Sequence, residues 1–151
     1  MPYFSAVFAR GDAGWIGTEP DLSEVTGLDD ISDIMREAAV ETGADTVVFL
    51  VEQEDEWFAV VRLDDGEDPR VFLSDGRAPL SGGVAEMLSE QLGGSPDDAA
   101  TEDPIGDTEL LADLGTASDA LTALGERTLP GDALSVIAEG AGFAEEYERL
   151  R

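Results

Sequence analysis

Two apolar runs joined by a charged bridge constrain this chain most. Val47 to Val51 is unbroken aliphatic and aromatic, and Trp57 to Leu63 is apolar on both alternating faces except at Arg62. Successive side chains of a strand point to opposite faces of its sheet. A strand that is apolar at every position is therefore a central one, covered on both sides. Between the runs lies Glu52-Gln53-Glu54-Asp55-Glu56, which reads as the solvated tip of a hairpin linking the two strands.

The flanking segments extend the sheet. Tyr3 to Ala9 sets Phe4, Ala6 and Phe8 against Tyr3, Ser5 and Val7, and Gly11-Asp12-Ala13-Gly14 turns the chain into a second strand over Trp15 to Glu19. Asp64-Asp65-Gly66-Glu67-Asp68-Pro69 is a turn into a short strand from Arg70 to Leu73, closed by Ser74-Asp75-Gly76. Two helices interleave. Behind a cap at Asp29 or Asp30, residues Ile31, Ile34, Met35, Ala38 and Ala39 recur at helical spacing as far as Gly43. A second helix is expected from Leu80 to Leu92, with Val84, Met87, Leu88 and Leu92 aligned. The order β-β-α-β-β-β-α with short hairpin links predicts an α+β fold: a mostly antiparallel five-stranded sheet with packed helices. The order of strands within the sheet does not follow from the sequence.

Residues 1–92 are thus expected to form the sheet domain. Residues 93–106 hold Gly93-Gly94-Ser95-Pro96 and Asp103-Pro104 and read as a flexible acidic linker. From 107 to 151 the periodicity is helical. Short helices are expected through Leu110, Leu111 and Leu114, then through Leu121 and Leu124. A third starts at Pro130 or Asp132 with Leu134, Ile137 and Ala138 inward, and a last one carries Phe143, Tyr147 and Leu150. Roughly 45 residues of small helices are marginal alone, so this segment is expected to dock on the sheet layer or on another surface.

Composition narrows the chemistry. The chain has no Lys, His or Cys; its eight basic residues are all Arg, against 35 Asp and Glu, for a net charge of -27. Ser-His-Asp and Cys-His nucleophiles, Schiff bases and thiolate or imidazole metal sites are therefore excluded. Two-carboxylate hydrolysis stays open, although pairs of acids arise by chance in a chain this acidic. A surface of this charge repels phosphate backbones and anionic lipids, so neither nucleic acid nor membrane is an expected direct partner, whereas a basic protein is. The same acidity is also what a solubility adaptation, or a GC-rich or salt-adapted proteome, would produce. The longest apolar stretch is far short of the ~20 residues that span a bilayer, and Met1-Pro2-Tyr3-Phe4 lacks the pattern of a signal peptide. A cytoplasmic location is expected.

Several constellations invite a site. Asp64, Asp65, Glu67 and Asp68 surround Gly66, but the ligand spacing of a calcium loop is absent and a solvated turn explains them. Asp29, Asp30 and Asp33 complement the positive end of the helix they open more simply than they collect Mg²⁺. Gly140-Ala141-Gly142 lacks the strand and third glycine of a dinucleotide loop. No catalytic, metal or cofactor residue is assigned and no cofactor is expected. Candidates for contact with a partner are the stripe Asp33, Glu37 and Glu41, the tip residues Glu52, Glu54, Asp55 and Glu56, the turn residues Asp64, Asp65, Glu67 and Asp68, and the pair Trp57 and Phe58. The last two must face opposite sides. If helices cover only one face of the sheet, one of these aromatics lies under the C-terminal helices or in a partner site.

The stretches Asp55-Glu56-Trp57-Phe58-Ala59-Val60-Val61-Arg62 and Asp68-Pro69-Arg70-Val71-Phe72-Leu73-Ser74-Asp75 carry a resemblance, as do Asp107 to Thr116 and Leu129-Pro130 through Gly142-Phe143 to Leu150-Arg151. Together they resemble the actinobacterial family of tRNA adenosine deaminase-associated proteins. That family is named for genes lying beside a tRNA adenosine deaminase. The resemblance implies no activity, cofactor or catalytic residue. The deaminase itself uses His and Cys zinc ligands, which this chain lacks. The expected function is that of a non-enzymatic acidic accessory protein, with a basic partner such as that deaminase. The alternatives are a small-ligand or divalent-metal-dependent enzyme using carboxylates, and a self-associating structural domain.

Overall fold

The computed structural model describes residues 3–12, 14–20, 25–53, 56–64, 69–76, 83–89, 104–127 and 129–150. Strand β1 (Tyr3–Gly11) turns into β2 (Gly14–Thr18), and helix α1 (Leu28–Thr42) leads to β3 (Thr46–Gln53), β4 (Trp57–Asp64) and β5 (Arg70–Leu73). Helix α2 (Gly83–Ser89) precedes a two-residue strand β6 (Ile105–Gly106). A 3-10 turn at Ala112–Leu114 then opens a run of three helices, α3 (Ser118–Arg127), α4 (Pro130–Ala141) and α5 (Ala144–Leu150).

The six strands form one sheet in the order β2-β1-β3-β4-β5-β6, antiparallel at every pairing. This is the expected α+β architecture with one strand more. β6 falls inside the segment read as a linker. Its two residues pair with Phe72 and Leu73. Gly106 has φ +106°, and a Cβ there would stand 2.2 Å from the Val71 carbonyl oxygen, so the approach requires glycine. Residues 93–103 of the expected linker and the expected helical ends at Leu80 and Leu92 lie outside the described residues.

β3 and β4 occupy the middle of the sheet, and their apolar runs are buried on both faces. On one face Val47, Phe49, Val51, Trp57, Ala59 and Val61 pack with Ile31 and Met35 of α1 and Leu88 of α2. On the other, Val48, Leu50, Phe58 and Val60 pack with Leu111, Leu121, Leu134, Ile137, Phe143 and Tyr147 of the C-terminal segment. The C-terminal helices thus build the second core of the molecule. Aromatic contacts secure them: Phe143 stacks on Phe8 with ring centroids 4.2 Å apart and meets Trp15 edge-on at 4.9 Å, and Tyr147 meets Phe4 edge-on at 5.5 Å. The Trp15 indole N–H donates to the Ala141 carbonyl at 3.1 Å.

α1 begins earlier than expected. Its N-cap is Gly27, and Asp29 and Asp30 sit in the first turn, where their charge meets the exposed helix amides. The Asp30 carboxylate reaches back to accept from both the Thr26 backbone N–H and the Thr26 hydroxyl at 2.9 Å, which holds its pKa below the ordinary value. The register gains Leu28 and Ser32 for the buried face, beside the expected Ile31 and Met35.

Candidate docking surfaces and the buried arginine network

The one interruption in the β4 apolar run, Arg62, is the centre of a polar network. Alternation puts Arg62 on the sheet face that the C-terminal segment covers, in line with Phe58 and Val60. Its side chain is only 5 % exposed. Its Nη1 donates to the Leu110 carbonyl at 2.8 Å and to Asp113 Oδ1, its Nη2 to Asp113 Oδ2 at 2.8 Å, and its Nε to Asp64 Oδ1 at 3.1 Å. This is the planar, forked pairing a guanidinium favours and an ammonium cannot match. Hydrogen bonding to Arg62 pulls the Asp113 pKa from 3.8 to about 2, and the same bond raises that of Arg62.

The network continues across the strands. Asp64 also accepts from the Thr46 hydroxyl and from Arg70 Nη2, each at 3.1 Å. Arg70 Nη1 lies 3.6 Å from Asp107. Arg10 donates to Thr46 at 3.4 Å and lies over the Trp15 ring, 5.7 Å from its centroid. Cross-strand register brings these groups together: Arg10 is opposite Thr46, Thr46 opposite Asp64, and Arg62 opposite Arg70. The result ties the chain just after β6 to one end of the sheet.

The expected contact residues divide sharply. Asp33, Glu37 and Glu41 are exposed on the outer face of α1, as their helical spacing implies, with Asp33 3.5 Å from Arg36. Glu56 is exposed at the β3–β4 turn. Glu52, however, is 3 % exposed, set in β3 between Phe4 and Phe58 of the neighbouring strands. Trp57 and Phe58 face opposite sides, as alternation requires, but each lies inside one of the two cores at 3 % and 0 % exposure. Because helices cover both faces, neither ring offers surface to a partner. Asp64 ends β4 and is committed to Thr46, Arg62 and Arg70. Glu54, Asp55, Asp65, Glu67 and Asp68 lie outside the described residues.

One surface escaped the sequence reading. Leu129 is 57 % exposed and Val136 46 % exposed. Leu129 is the N-cap of α4 and Val136 lies seven residues on; helical spacing sets both on a flank of the helix, between the buried face and the exposed Asp132 and Glu139 that point directly away from it. Helical spacing carries that signal, since residues seven apart share a face.

Among the described residues no group of three or more carboxylates is arranged to hold a metal ion, and no helix is long and apolar enough to cross a membrane. No curated protein and no solved structure matches the chain. The family model for Rv3753c-like tRNA adenosine deaminase-associated proteins matches residues 3–144, from the first strand to the first residue of α5, so the chain belongs to that family.

Proposed function

We propose that this chain is a non-enzymatic acidic accessory protein that docks on a basic protein, with the tRNA adenosine deaminase of the family's name as its first candidate partner. A deaminase that handles tRNA presents cationic surface to a polyanion, and a folded acidic surface competes for the same charge.

The observation that best supports this reading is the partition of charge. Arg10, Arg62 and Arg70 are engaged with one another's partners at one end of the sheet, and Arg36 is paired with Asp33. The carboxylates of Glu37 and Glu41 remain on the outside of α1. In a chain with a net charge of -27, this arrangement leaves the outward field strongly negative, which favours fast, steered association with a cationic surface.

Titration of the purified chain against the deaminase of the same organism tests the reading. Binding is expected at low ionic strength and should weaken steeply as the Debye length falls from ~30 Å at 0.01 M to ~8 Å at 0.15 M salt. Bound tRNA should compete with it. If two folded proteins show no association at low salt, the proposal fails.

A further inference from the structure

We infer that the exposed flank of α4 that bears Leu129 and Val136 is the anchoring surface, and that it takes a basic amphipathic helix of the partner. This inference rests on the docking reading above. It adds where the partner is held and by what chemistry.

α4 (Pro130–Ala141) carries only two charged residues, Asp132 and Glu139, in a chain with 43 charged side chains from 35 acidic and 8 basic residues. Its inner face is filled by Ala133, Leu134, Ile137 and Ala138, all 0 % exposed. Those residues already satisfy its packing on the sheet, so Leu129 and Val136 are not needed there. They form a line two turns long on the flank of the helix, and exposed Gly140 continues it one turn on without a side chain. Asp132 and Glu139 form a parallel line beside it. An apolar line edged by carboxylates matches a helix with apolar residues at i, i+3, i+4 and i+7 and Lys or Arg on its flank. Val40 on α1 is more exposed, at 83 %, but it stands alone among Arg36, Glu37 and Glu41 and offers no line to pack against.

Charge selects the occupant. With -27 on the chain, a second copy, an anionic membrane and a nucleic acid are all repelled from an acid-edged face. A cationic helix is attracted, and its apolar side gives the contact its residence time. Exposed apolar patches rimmed by polar residues mark protein–protein contact sites.

The test uses two helical peptides of equal positive charge, one with Leu and one with Ala at the i, i+3, i+4 and i+7 positions. Both are titrated against the full chain and against the Leu129→Ser/Val136→Ser variant, with circular dichroism and melting confirming that the variant is folded. The Leu peptide should bind wild type on the order of tenfold more tightly than the Ala peptide, and the variant should lose that preference. A preference retained in the variant, or equal binding of both peptides to wild type, overturns the inference. So does wild-type self-association that the substitutions abolish, which would assign the face to a second copy. The deaminase separates this inference from the reading beneath it. Equal affinity of the deaminase for wild type and variant removes the α4 site but leaves docking intact, whereas no affinity for wild type removes both.

Discussion

Replacing Arg62 by Met tests whether the buried guanidinium stabilises the fold or is merely tolerated. Buried ion pairs often contribute little, because two charges lose their water. Here only one partner is buried: Arg62 is 5 % exposed, whereas Asp64 is 20 % and Asp113 62 % exposed. Desolvation therefore falls mainly on the guanidinium, which is more weakly hydrated than an ammonium. In Arg62→Met the aliphatic volume is largely kept, Asp113 returns to water, and Asp64 keeps Thr46 and Arg70. What is stranded is the Leu110 carbonyl, whose bond to Arg62 is buried. An unsatisfied buried acceptor costs ~1–3 kcal/mol, so the expected loss is about 2 kcal/mol, or roughly 4–8 °C in Tm for a chain of this size. Removing the other end should cost less. Asp113→Asn leaves the guanidinium its bonds to Leu110 and Asp64, and the exposed carboxylate contributes below about 1 kcal/mol at neutral pH. Urea unfolding followed by the fluorescence of the two tryptophans, Trp15 and Trp57, gives both values. A Met variant as stable as wild type, or more so, refutes the reasoning, because desolvation would then outweigh all the bonds of the guanidinium.

Two pH-dependent outcomes follow from the same packing. The Asp113 pKa is depressed from 3.8 to about 2, so its stabilisation is present above about pH 4 and is lost as pH falls through about 2; the stability gap between wild type and Asp113→Asn should close over that window in acid-dependent urea melts. Burial pushes the Tyr147 pKa from 10.0 up to about 12, so its contribution is intact below pH 10 and is lost towards 12; Tyr147→Phe should resist alkaline unfolding across that interval, and identical alkaline midpoints would contradict the assignment.

The central strands were legible because burial on two faces marks every position. A run such as Val47 to Val51 has no alternation to misread. The inward stripe of α1 and the inward residues Leu134, Ile137, Phe143 and Tyr147 were legible for the analogous helical reason. β6 was not, since two residues have no period and Ile105–Gly106 is held by backbone pairing to residues more than 30 positions earlier. The acidic stripe of α1 could be placed on the surface from spacing alone. Glu52 could not, because its burial depends on how far β3 runs toward the turn and on Phe4 and Phe58 from two other strands. Arg62 was visible as the exception in β4, but its partners Leu110 and Asp113 lie 48 and 51 residues away, beyond the reach of any local pattern.

The use of arginine in this chain separates two roles for charge. A cation inside a two-faced core must satisfy several acceptors at fixed angles, and Arg62 does so with a backbone carbonyl and two carboxylates. That geometry fixes the register of the segment after β6, and with it the seat of the helices that follow. The acids of the α1 stripe have no such constraint and are set by helical spacing alone. The polar network therefore belongs to the scaffold, and under the docking proposal contact with a partner falls to the exposed faces of the helices on either side of the sheet. Those faces differ in kind. α1 presents charge, which acts over nanometres and governs encounter. α4 presents Leu129 and Val136, which act only on contact. The two layers lie on opposite faces of the sheet, so substitutions on α1 should change the salt dependence of association, and substitutions on α4 its lifetime.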